Sequence, residues 1–141
     1  MEINQNSQIV IYKSPSGETK IDVRFDGDTV WLTQNSIANL FQTTKNNISL
    51  HVKNIFAEGE LSRNATVKNC LTVQKEGGRD VSRDIEYYNL DLIISIGYRV
   101  KSNIATAFRQ WATARLSEYV VKGFVIDFLF VSDFDREVKS F

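Results

Sequence analysis

The stretch Thr29-Val30-Trp31-Leu32-Thr33-Gln34-Asn35-Ser36-Ile37-Ala38-Asn39-Leu40-Phe41 decides the fold, because the hydrophobic period changes inside it. Upstream, Ile21, Val23 and Phe25 alternate with Asp22 and Arg24, the period-2 pattern of a half-buried strand. Asp26-Gly27 is a hairpin signal, which makes Thr29 to Leu32 the return strand. Ile9 to Tyr12 is a further β-prone run, set off by turn residues at Ser14-Pro15-Ser16-Gly17. Residues 9–32 therefore predict an antiparallel β-meander.

From Thr33 the period is helical. Thr33 is a good N-cap, and Ile37, Leu40 and Phe41 share one face. Gln42-Thr43-Thr44 interrupts, and Thr43 or Thr44 can cap a second helix. Its stripe is Ile48, Val52, Ile55 and Phe56, and Gly59 is a natural stop. Two short helices joined by a tight turn over 33–60 form a helix-turn-helix pattern, with the small Ala38 where the two pass.

Strand character returns over 65–88, with a hairpin tip at Gly77-Gly78, as a wing would show. Asn89 caps a helix that is apolar nearly all round (Leu90, Leu92, Ile93, Ile94, Ile96) and should be central and buried. Gly97 either ends it or lets another helix pass close. Ser102 caps a long last helix closed by Gly123, which gives a carboxy-terminal helical pair over 89–122. Residues 124–141 are an apolar, then acidic tail. The expected fold class is α+β, one winged helix-turn-helix-like domain over 1–123 followed by that tail.

The chain has 141 residues, one domain's worth. Its 17 basic and 17 acidic residues cancel, so an overall basic coat is excluded. The charge is uneven, however. Residues 33–122 carry 12 basic and 8 acidic side chains, and the segments on either side are net acidic. The single cysteine, Cys70, excludes an intramolecular disulfide and a cysteine zinc site; the single histidine, His51, excludes a His-rich metal centre. No catalytic residue, metal site or cofactor is expected, and the protein is read as no enzyme. With no signal-peptide pattern and no apolar run near ~18 residues, the expectation is a cytoplasmic protein without a membrane segment.

The second helix is the candidate for reading bases. Opposite its apolar stripe stand Lys45, Asn46, Asn47, Ser49, Leu50 and Lys53. Asn pairs bidentately with adenine and Lys reaches guanine or phosphate, so Lys45, Asn46, Asn47, Ser49 and Lys53 are the expected base-reading set. Gln34 and Thr44, at helix starts, suit phosphates, as do the hairpin bases Arg63, Lys75 and Arg79. His51, a lone imidazole, is expected at a packing boundary or on a phosphate. Trp31, Trp111, Tyr87 and Tyr88 stand in apolar patterns and are expected to pack, although each could stack on a base. The expected partner is double-stranded DNA. A symmetric site would require a homodimer, and the apolar tail could dock a protein partner; an interaction module without DNA binding is the alternative.

Several strings resemble the virulence protein RhuM family: Val30-Trp31-Leu32-Thr33-Gln34, Ile37-Ala38-Asn39-Leu40-Phe41, Ile48 to Leu61, Glu86-Tyr87-Tyr88-Asn89-Leu90-Asp91-Leu92 on to Val100, and Phe108-Arg109-Gln110-Trp111-Ala112-Thr113. The resemblance covers roughly residues 8 to 124. It implies a bacterial protein of mobile elements, whose amino-terminal part is similar to phage antirepressor-type BRO-N and KilA-N modules that bind DNA. It also implies a longer relative with a further helical domain, so residues 124–141 are expected to diverge, as in a shortened chain.

Overall fold

The computed structural model describes residues 8–130, excluding the side chains of Gln74 and of 119–130. Its elements in chain order are β1 (Gln8–Lys13), β2 (Lys20–Asp26), β3 (Thr29–Thr33), α1 (Gln34–Leu40), α2 (Lys45–Ala57), α3 (Arg63–Thr66), β4 (Val67–Glu76), β5 (Arg79–Asn89), α4 (Leu90–Arg99) and α5 (Ile104–Phe130). The α+β class is as the sequence predicts.

The meander and the hairpin are one antiparallel sheet, ordered β1-β2-β3-β5-β4. The join is short: Trp31, Leu32 and Thr33 stand opposite Asn89, Tyr88 and Tyr87. β3 then becomes α1 at Gln34, so residues 79–86 of β5 pair only with β4. The β4–β5 hairpin therefore projects as a two-stranded arm. Its loop is Gly77-Gly78, both at positive φ (58° and 79°), as the tight two-residue turn demands.

Alternation sorts the sheet into two faces. Tyr12, Ile21, Val23, Phe25, Val30, Leu32 and Tyr88 point to the helices, where they meet Ile37, Ile48, Ile55, Leu92, Ile93, Ile96 and Phe108. Each large apolar side chain fully buried there contributes about 1.5–3 kcal/mol. α5 seals the β1–β2 end with rings: Tyr12 lies 5.1 Å from Phe108 and 5.0 Å from Trp111, both edge-on. The opposite face carries a smaller cluster of Trp31, Cys70 and Tyr87. Lys68 Nζ sits 4.7 Å over the Trp31 ring, and the Arg24 guanidinium 5.2 Å over Tyr87. All four aromatics considered for base stacking are thus packing residues here, Trp31 and Tyr88 buried and Tyr87 and Trp111 half-buried.

The helix starts follow local chemistry. The hydroxyls of Thr33 and Thr44 accept from the Ser36 and Asn47 backbone N–H groups, each at 3.1 Å, and the Asn89 carboxamide accepts from Leu92 at 3.0 Å. Such caps contribute about 1 kcal/mol each. Thr44, rather than Thr43, caps the second helix. Ser102 accepts from the Ile104 N–H at the start of α5.

Of the two roles expected for Gly97, the structure shows the second: α4 runs on to Arg99, and a Cβ at position 97 would lie 2.4 Å from the Ala105 Cβ of α5. Two expectations need correction. Residues 65 and 66 are not strand: Ser62 caps the single turn α3, and β4 begins at Val67. Gly123 does not close the last helix, which continues to Phe130; an interior glycine costs about 1 kcal/mol, too little to break a long helix. Of the tail expected over 124–141, residues 131–141 lie outside the described residues.

Candidate functional site

α2 carries its apolar stripe Ile48, Val52 and Ile55 into the core, which leaves Lys45, Asn46, Ser49, Leu50, Lys53 and Asn54 exposed on the other side. The four residues Phe41 to Thr44 join it to α1, and the turn is held by the backbone bond from Thr43 N–H to the Ala38 carbonyl at 2.9 Å. Gln42, at φ 54°, takes the left-handed conformation that lets the chain reverse there.

The side chains of the expected base-reading set divide into two groups. Asn47 is half-buried, and its carboxamide donates to the Thr43 hydroxyl at 2.8 Å. Ser49 accepts from the side-chain nitrogen of Gln34, which also donates to the Lys45 carbonyl at 2.9 Å. Asn47, Ser49 and Gln34 thus fasten the helix pair together. Lys45, Asn46 and Lys53 project into solvent. Between Asn46 and Lys53 on the same stripe stands Leu50, 54% exposed. The sequence puts Leu50 on this face but assigns it no role; the signal is an apolar residue amid polar ones on a solvent-facing helix side.

The expected phosphate residues are also divided. Thr44 is exposed but uses its hydroxyl as the α2 cap. His51 is half-buried on the flank of α2, at the packing boundary that was one of its two expected places. Arg63 pairs with Glu86 of β5. Lys75 and Arg79 are exposed near the arm's tip. Elsewhere the basic group is partly neutralised. Arg83 is held by both oxygens of Glu76 at 2.6–2.9 Å, and Arg99 by Glu58 at 2.9 Å and Glu60 at 3.1 Å. Arg115 pairs with Glu118 at 3.4 Å.

Between the start of the helix pair and the open edge of β5 runs a groove of about 560 Å³. Gln34, Asn35 and Lys45 line one wall and Arg83, Ile85 and Glu86 the other. Tyr88 lies at its base, and burial pushes its phenol above the ordinary value, with Glu86 adding to the shift. The groove brings Lys45 and Gln34 to the same cleft as the arm, while Asn46, Leu50 and Lys53 follow on the exposed side of α2. Among the described residues, no group of three or more His, Cys, Asp or Glu is placed to hold a metal ion, and no helix is long and apolar enough to cross a membrane.

The chain matches the model of the virulence protein RhuM family over residues 65–137, more than half of its length. The match takes in α4 and α5 and runs past Gly123 into the segment expected to diverge; the pair α1 and α2, which carries much of the resemblance seen in the sequence, lies outside it. No curated protein matches the chain, and no solved structure does.

Proposed function

The chain belongs to the virulence protein RhuM family, and from that premise we propose that it is the DNA-binding module of a mobile-element or virulence-associated regulator in the bacterial cytoplasm. It reads duplex DNA with α2 as the second helix of a helix-turn-helix. The observation that carries this reading is the solvent-facing stripe of α2, where Lys45, Asn46, Leu50 and Lys53 stand free of the core. Side chains of this kind on the first turns of such a helix suit base edges in a major groove. The exposed N-terminus of α2 suits a phosphate, and Lys75 and Arg79 on the arm suit the flanking backbone. Asn47, Ser49 and Gln34 act by positioning the helix, and Arg63 is tied to Glu86. The mechanism is occupancy of a site, with no covalent step.

The test is a Lys45→Ala, Lys53→Ala double variant titrated against a mixed-sequence 30-bp duplex. Both residues are exposed, so the thermal melt should not move. Affinity should fall about tenfold, while Lys13→Ala, on the strand farthest from the arm in the sheet, should leave it unchanged. Wild-type affinity in the double variant, together with a protein partner retained in pull-downs, would favour an interaction module instead.

A further inference from the structure

Three surfaces stand open on the molecule: the groove beside β5, the exposed Leu71 and Val73 of the arm, and the Leu50 stripe of α2. Around the Leu50 stripe the neighbouring side chains have defined partners. Asn47 donates to Thr43 and Ser49 accepts from Gln34, so both side chains are held toward the protein. What is left at the centre of the exposed face is Asn46, Leu50 and Lys53, spaced i, i+4 and i+7 on one stripe. Among the described residues, no side chain bonds the Asn46 carboxamide. Leu50, 54% exposed, is the one large apolar group on this polar face.

We propose that α2 reads A·T pairs, with Leu50 packed on the 5-methyl group of a thymine and the Asn46 carboxamide on the N6 and N7 edge of a nearby adenine. This rests on the DNA-binding reading above and adds the identity of the bases. In the major groove the thymine methyl is the apolar feature, and an aliphatic side chain is its natural contact. Asn46 and Leu50 are about 6 Å apart along the helix axis, and base pairs follow one another every ~3.4 Å. The two side chains therefore reach base pairs one or two steps apart. Lys53, a turn further on along the same stripe, suits a guanine edge or a phosphate.

The experiment selects binding sites from a random 20-bp duplex pool, then replaces each thymine of the selected site with deoxyuridine, which removes only the methyl group. One such replacement should weaken wild-type binding about fourfold, the effect of one buried methyl-sized contact. Leu50→Ala should bind the thymine and uracil duplexes equally, and Leu50→Val should keep part of the difference. Asn46→Ala should relax selection at an adenine within two base pairs of that thymine. Equal wild-type affinity for both duplexes at every position would overturn the inference, as would salt-dependent binding that enriches no sequence; both outcomes leave DNA binding standing. Absence of any binding at low salt would remove the DNA reading itself.

Discussion

Gln34 donates its side-chain N–H to the hydroxyl of Ser49, and so fastens the first residue of α1 to the second turn of α2. With the bond to the Lys45 carbonyl, one glutamine fixes the mutual placement of two helices whose connection is only four residues long. Gln34→Ala should cost about 1 kcal/mol, since each neutral hydrogen bond nets about 0.5–1.5 kcal/mol and both lie near the surface. A thermal melt should fall by about 2–4 °C. Because the side chain is bonded within the protein, DNA affinity at a temperature where the variant is fully folded should fall by less than about twofold. A loss of about tenfold or more would instead return Gln34 to the DNA contacts.

A methyl group on Gly97 would lie 2.4 Å from the Cβ of Ala105 and 3.1 Å from the Phe41 ring. Neither neighbour is the end of a flexible chain, so α4 and α5 must move apart. Overpacking of this kind costs about 1–3 kcal/mol, more than the helix propensity gained. Gly97→Ala should therefore lower stability in urea unfolding, and adding Ala105→Gly should restore much of it. An additive double variant would show that the two sites do not touch.

The arm depends on its own ladder. Residues 79–86 have β4 as their only partner strand, and most side chains over 71–84 are exposed. An isolated two-stranded ribbon is marginally stable, and the Arg83–Glu76 pair at the surface adds at most about 1 kcal/mol. Amides within 71–84 should exchange with deuterium well before those of Leu32 and Tyr88, which sit in the sheet's centre. Equal protection would mean that the arm is held by contacts beyond the ladder.

Glu60 is held below the ordinary carboxylate range, first by a hydrogen bond from Ser95 and then by Arg99. The folded protein thus favours its charged form. The resulting stability is present above the unfolded value and is lost as pH falls through the folded one. The side chain is 44% exposed, so the contribution is no more than about 0.5 kcal/mol. Glu60→Gln should flatten the loss of stability as pH falls below the ordinary glutamate value, by that amount, as urea midpoints would register. An unchanged acid profile would remove Glu60 from the titrating groups that matter.

What the sequence made legible is what lies within a few residues. The caps Thr33, Thr44 and Asn89 act over three positions, the Gly77-Gly78 loop needs only its own two residues, and the apolar stripe of α2 is a local period. The pairing of Trp31, Leu32 and Thr33 with Asn89, Tyr88 and Tyr87 spans more than fifty residues, and nothing in either strand names its partner, so the sequence shows the meander and the hairpin only as separate units. The same holds for the site. Side-chain type placed Lys45, Asn46 and Lys53 on the exposed face of α2, but the diversion of Ser49 to Gln34, of Asn47 to Thr43 and of Arg63 to Glu86 is tertiary. The role proposed for Leu50 follows from those diversions.

Duplex DNA binding through charge placed around α2, as proposed here, is decided by fluorescence anisotropy of a labelled mixed-sequence 30-bp duplex, titrated at about 50 and about 200 mM salt. Two or more neutralised phosphates predict a loss of affinity of about tenfold or more over that range. No binding at micromolar protein in the low-salt buffer, or an affinity indifferent to salt, would contradict it.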